Sequence, residues 1–177
     1  MKKKFLGFVA VLFLAGSTQL FAWGIGLQGG GVAGRYGTGG LAVTFGLDQV
    51  PLLFAVDMGF SAGYFSLAAT VDYWFMNPTI VSWDWGALKW HWGVGGAIGF
   101  STWTVWDERY GTFNIGPRVL AGMNLEFLNN KLSWMDHFEA FVQVAWQPMF
   151  CIGHDFASRL VGNLFSFPIA TGIRMWF

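Results

Sequence analysis

The chain of 177 residues contains one cysteine, Cys151, so no internal disulfide can form and no cysteine-rich metal cage can be built. Charge is scarce: ten basic and ten acidic side chains make up only 11% of the residues. With no basic stripe among them, nucleic acid is not an expected partner. Beyond the first 22 residues there is also no charge-free apolar run of about 18 residues with helical character, which excludes a helical membrane protein. Yet 54% of the residues are hydrophobic, and the 25 glycines are spread throughout, each weakening a helix by about 1 kcal/mol. High hydrophobicity without helical spans is the composition of a protein that crosses a membrane with strands.

Residues 1–22 read as a cleavable signal peptide. Lys2, Lys3 and Lys4 supply the charged start, Phe5 to Gly16 the apolar run, and Leu20-Phe21-Ala22 a cleavage site before Trp23. Ser17 stands where a lipoprotein signal would need cysteine, so a lipid anchor is not expected. Residues 23–177 are then one domain of 177 − 22 = 155 residues, bound for an oxidising compartment with which a single cysteine is compatible.

The stretch 165–177 sets the pattern for this domain. Phe165, Phe167, Ile169, Thr171, Ile173, Met175 and Phe177 alternate with Ser166, Pro168, Ala170, Gly172, Arg174 and Trp176, the period of two of a strand with one apolar face. The same alternation predicts strands near 23–33, 40–47, 52–60, 65–75, 89–100, 113–127 and 137–147. In each, the large apolar residues share one face and the glycines, small polar residues and charges share the other. Asp57, Asp72, Arg118, Glu126, Glu139 and Arg174 all fall on the polar face, and the remaining charges fall in turns. A soluble up-and-down barrel would need charges scattered along a water-facing side. A face of Gly, Ala, Ser and Thr with about one charge per strand suits a narrow interior instead. The expected fold is all-β, a closed antiparallel up-and-down transmembrane β-barrel of about eight strands.

Asp72, Arg118, Glu126, Glu139 and Arg174 form a candidate ion network inside that barrel, with Arg174 and Glu139 on neighbouring strands. Such a network either plugs the lumen or gates it. Trp74, Phe141 and Trp176 also face inward and could line a small apolar pocket. No catalytic, cofactor-binding or metal site is expected. Gly24-Ile-Gly26-Leu-Gln-Gly29 fits a dinucleotide fingerprint by letter but lacks the strand before it and the helix after it. His91, His137 and His154 lie in separate elements without ligand spacing. His154, Asp155 and Ser158 share a loop but meet nucleophile geometry only by chance. Trp23, Trp90, Trp92, Trp134 and Trp176 are expected at one membrane interface, with Trp103, Trp106 and Trp146 at the other. Pro117 and Pro168 interrupt apolar runs and are expected near a rim, where the ladder frays or bulges.

Gly172, Met175 and the final Phe177 resemble the C-terminal assembly signal of bacterial outer-membrane barrels, and Ala121-Gly-Met-Asn-Leu-Glu-Phe127 repeats its grammar. The whole chain is similar to small eight-stranded barrels of the outer membrane protein A and X type. A closer likeness is to spirochaetal outer-membrane barrels of unknown function. It rests on Gly116-Pro-Arg-Val-Leu-Ala-Gly-Met-Asn-Leu-Glu-Phe127 and Phe138-Glu-Ala-Phe-Val-Gln-Val-Ala-Trp-Gln-Pro148. The resemblance implies an outer-membrane location, lipid as the surrounding partner, and the barrel assembly machinery as reader of the last strand. It implies a structural or surface-interaction role through segments 101–112 and 148–162, with an unknown surface ligand and no enzymatic activity. The alternatives are a narrow conduit or pocket for small hydrophobic molecules and, through the His and Ser residues of 154–158, a lipid A-modifying enzyme. One departure from the usual plan is the length of Pro78 to Leu88, expected as a long periplasmic segment.

Overall fold

A computed structural model describes residues 23–33, 39–47, 50–61, 64–105, 108–128, 137–153 and 165–177. They form ten strands: β1 (Trp23–Ala33), β2 (Gly39–Leu47), β3 (Leu52–Ser61), β4 (Tyr64–Met76), β5 (Thr79–Trp83), β6 (Gly86–Val105), β7 (Glu108–Leu128), β8 (His137–Trp146), β9 (Phe150–Gly153) and β10 (Phe167–Trp176). Eight of them close a ring in which every pair is antiparallel: β1, β2, β3, β4, β6, β7, β8, β10 and back to β1. Both termini of the ring lie at the same end, where Trp23 and Phe177 exchange backbone hydrogen bonds of 3.2 and 2.8 Å.

The register around the ring sets its shape. From Phe177 the partners run Trp23, Leu47, Leu52, Tyr73, Val94, Val119 and Trp146. Carrying the β8–β10 register two residues further returns to Phe167, an offset of 177 − 167 = 10 residues. With a strand rise of about 3.3 Å and a spacing of about 4.8 Å, that stagger tilts eight strands by about 40° and leaves an interior that side chains can fill.

The two faces sort as the alternation dictates. Exposed apolar side chains point outward from every ring strand, among them Leu27, Val43, Val56, Val71, Ile98, Ile115, Val142 and Ile173. Buried charges point inward. A small apolar cluster of Leu53, Trp74, Leu120 and Ala145 also lies inside. At the terminus-bearing end, outward aromatics form a girdle. Trp23 stacks on Phe177 (ring centroids 4.7 Å apart), Phe127 meets Phe138 (5.9 Å), and Trp85 stacks on Phe127 (5.7 Å) and on Trp83 (5.1 Å). Trp176 is not part of that girdle, because its side chain is buried on the inward face. Trp106 and Trp134 lie outside the described residues.

Two expectations need correction. The stretch Pro78 to Leu88 is not a loop: β5 folds back on the start of β6 through Asp84 and Trp85, pairing Trp83 with Gly86. The run Thr79-Ile-Val-Ser-Trp83 is β-branched and aromatic, which favours a strand. Pro117 is not at a rim either, but near the middle of β7. Its break in the ladder has a different cause. The β7 register is the same on both sides of the break, since Val119 faces Trp146 and Ile115 faces Phe150, so no residue bulges out. Pro117 therefore stands opposite Pro148, and neither can donate a ladder hydrogen bond. Pro168 does lie near the start of its strand, opposite Val32.

Candidate functional site

The interior is built by one recurrent rule: a large inward side chain is flanked, on the next strand, by a glycine. In register, Asp72 faces Gly95, which faces Arg118; Trp74 faces Gly93, which faces Leu120; Arg174 faces Gly26, which faces Thr44; Trp176 faces Gly24, which faces Gly46. A Cβ on Gly24 or Gly46 would come within 2.8 Å of the Trp176 ring, and one on Gly122 within 2.6 Å of the His91 imidazole. Gly172 carries the Phe141 ring in the same way, at 2.8 Å. Glycine is used here for space. It lets ring systems lie against the backbone of the adjoining strands in a narrow lumen.

Across these gaps the polar groups join in two layers. In the first, Arg118 reaches over Gly95 to Asp72, with Nε 2.8 and 3.0 Å from the two carboxylate oxygens, and donates from Nη1 to Gln147 at 2.7 Å. Gln28 donates to Asp57 at 3.1 Å, on strands β1 and β3 of the same interior. The second layer lies nearer the terminus-bearing mouth. Arg174 and Glu139 are direct cross-strand partners and bond at 2.6 Å, each only 1% exposed. The Arg174 guanidinium also lies over the Phe141 ring, 4.6 Å from its centroid, a cation–π contact that water does not weaken. Glu126 is held by Lys89 at 2.7 Å. Asn124 sits between the carboxylates, 3.5 Å from Glu126 and 3.4 Å from Glu139, and meets the His91 ring at 3.3 Å. His91 stacks on Trp74 at 3.9 Å.

Of the residues expected in the network, Asp72 and Arg118 form one pair, and Arg174 and Glu139 another. Glu126 joins the second layer through Asn124 and is neutralised by Lys89. Sequence reasoning left Lys89, Asn124 and Gln147 out of the network. Lys89 stands two residues before His91, which places both on one strand face, so the signal was present. Of the three residues compared with the assembly signal, Gly172 faces inward under Phe141, Met175 is exposed outward, and Phe177 stacks on Trp23. His154, Asp155 and Ser158 lie outside the described residues, as do residues 1–22. His91, by contrast, faces an indole and an amide, not a hydroxyl or thiol it could activate.

A buried charge is costly unless it is paired and hydrogen-bonded. Asp72, Arg118, Glu139 and Arg174 each meet that condition inside the ring.

No protein-family model matches the chain, and no curated protein matches it in sequence. Among solved structures it is similar to neisserial surface protein A, at 14% identity over 89% of this chain and 97% of that one, with a TM-score of 0.48. It is also similar to the N-terminal β-barrel domain of Pseudomonas aeruginosa OprF, at 14% identity over 87% and 97%, with a TM-score of 0.49. A major outer membrane protein from Thermus thermophilus aligns at 11% identity over 90% and 100%, with a TM-score of 0.43. The all-β fold, antiparallel and closed on eight strands, is read from the strand pairing of this chain itself.

Proposed function

We propose that the chain is an integral outer-membrane β-barrel protein with a structural or surface-interaction role, its lumen plugged by its own side chains. The observation that carries this reading is the inversion of the two faces. Large apolar residues cover the outside of the ring, while its ion pairs are hidden within. In water that arrangement would expose far more contiguous apolar surface than a soluble monomer tolerates. In a bilayer the outward face meets acyl chains, the aromatic girdle meets the headgroups, and the paired charges face one another. Residues 1–22 act as the cleaved signal peptide in this reading, and the termini face the periplasm.

Two measurements test it. The domain from Trp23 onward should fold only with detergent or lipid present; cooperative folding in plain buffer would refute the membrane reading. In planar bilayers the folded barrel should give no steady conductance, since Arg118, Arg174, Phe141 and Trp176 are all buried on the inward face and leave little room beside them in this reading. Reproducible single-channel steps would instead favour the second reading, a narrow conduit or pocket for small hydrophobic molecules lined by Trp74, Phe141 and Trp176.

The partners proposed are outer-membrane lipid and the barrel assembly machinery, which reads β10 through Gly172, Met175 and Phe177. Deleting Phe177 removes the ring that stacks on Trp23 and the last two backbone bonds of the seam between β1 and β10. Less heat-modifiable, folded protein should then accumulate in the outer membrane. Wild-type amounts would show that the last strand is not read in this way.

A further inference from the structure

Glu126 and Glu139 stand directly opposite each other on β7 and β8, both on the inward face. Like charges so placed are destabilising unless something lies between or beside them. Each carboxylate gives one oxygen to a cation: Glu126 Oε2 to Lys89 at 2.7 Å, Glu139 Oε1 to Arg174 at 2.6 Å. The other two oxygens, Glu126 Oε1 and Glu139 Oε2, turn toward the same amide nitrogen of Asn124, at 3.5 and 3.4 Å. Those contacts are at the outer limit of a hydrogen bond and satisfy neither oxygen well. His137 precedes Glu139 by two residues on β8 and so shares its face. Its ring packs nearly parallel to Trp176, centroids 5.7 Å apart and planes 20° apart, which fixes the orientation of the imidazole. The ligand atoms of Glu126, His137 and Glu139 all lie within 4.8 Å of one another.

We propose that Glu126, His137 and Glu139 bind a divalent transition-metal ion, zinc being the best chemical match, at the terminus-bearing mouth of the lumen, with Lys89 as the built-in competitor. One imidazole and two carboxylates, with a fourth position left to water, form an ordinary zinc donor set. Ligand bonds of about 2.0–2.2 Å put tetrahedral donors about 3.3 Å apart, so side-chain rotations of about an ångström complete the site. Calcium and magnesium, which take six or more oxygens, find too few donors here, and the imidazole favours zinc, copper or nickel.

The charge balance explains the role of Lys89. Without metal, two glutamates are matched by Lys89 and Arg174. Arg174 is held between Glu139 and the Phe141 ring and cannot leave. The Lys89 side chain is 25% exposed and can swing its ammonium into water when a dication arrives. The inference does not depend on what the outer surface of the barrel does, so it extends the proposed function without resting on it.

The test uses the full barrel, untagged and refolded in detergent. Heat-modifiable migration is checked before metal is added, so a failure of the membrane reading would be seen separately. Zinc affinity is measured by competition with a chromophoric chelator, and cobalt is added for its visible absorption, which is strong only in tetrahedral sites. One zinc per barrel is expected. His137→Ala should weaken binding by about tenfold or more and abolish the cobalt band, while Lys89→Ala should tighten binding by about tenfold. His154→Ala should leave both unchanged. If His137→Ala does not fold, the nearly isosteric Glu126→Gln takes its place with the same expected loss. No binding by the wild-type barrel, or zinc binding that His137→Ala or Glu126→Gln leaves intact, overturns the proposal.

Discussion

Replacing Glu139 with leucine should destabilise the folded barrel by about 3 kcal/mol or more, read from urea unfolding in lipid or detergent. Arg174 would then be a guanidinium with no carboxylate, 1% exposed, in a lumen where it cannot be rehydrated without disrupting its neighbours. Its place over Phe141 offsets only part of that cost. Arg174→Met should be similarly harmful, because it removes the guanidinium that pairs Glu139 and leaves that buried carboxylate facing Glu126. The double variant is the informative one. Replacing both members of a buried pair by apolar groups of similar size is often neutral, since two desolvation costs disappear together. Glu139→Leu with Arg174→Met should therefore be more stable than either single variant. Strict additivity would mean that the two side chains do not interact in the folded barrel.

That pair was legible in the sequence because it depends on two short-range facts: the period of two and the adjacency of the last strands. Some strand limits were legible for the same reason, while β6 (Gly86–Val105) and β7 (Glu108–Leu128) run past the expected 89–100 and 113–127. The expected 23–33, 52–60 and 137–147 fall within a residue of β1, β3 and β8. Register between distant strands is another matter. Asp72 and Arg118 are 46 residues apart, and they meet because Gly95 stands between them in register and has no side chain. Alternation alone cannot say which glycine lies beside which large residue, because that depends on the stagger of the whole ring. The opposition of Glu126 and Glu139 was not legible, because alternation does not fix the register of β7 against β8. The strand character of Thr79–Trp83 was hidden by Asn77-Pro78, a pair that reads as a terminator. Pro117 misled because its partner, Pro148, is 31 residues away (148 − 117 = 31). The expectations about the signal peptide and about His154, Asp155 and Ser158 concern residues outside those described.

The second large effect should come from a single outward substitution, Val43→Arg. Val43 is the central residue of β2, 50% exposed, and its cross-strand partners are Leu27 and Val56, 62% and 52% exposed. No charged or polar side chain stands directly beside it on that face. If the barrel were surrounded by water, arginine at such a position would cost almost nothing, as surface substitutions usually change stability by less than about 0.5 kcal/mol. Replacing an exposed valine by a charge would also improve solubility. If the barrel is surrounded by acyl chains, the guanidinium must lose its water or drag it into the hydrocarbon, a cost of about 2–4 kcal/mol near the midplane. The two environments thus predict opposite outcomes for one residue. The expected result is a loss of about 2–4 kcal/mol in lipid, with Val43→Leu close to wild type as the control for size. An arginine variant as stable as wild type in lipid would place the outward face in water and remove the basis for the membrane assignment.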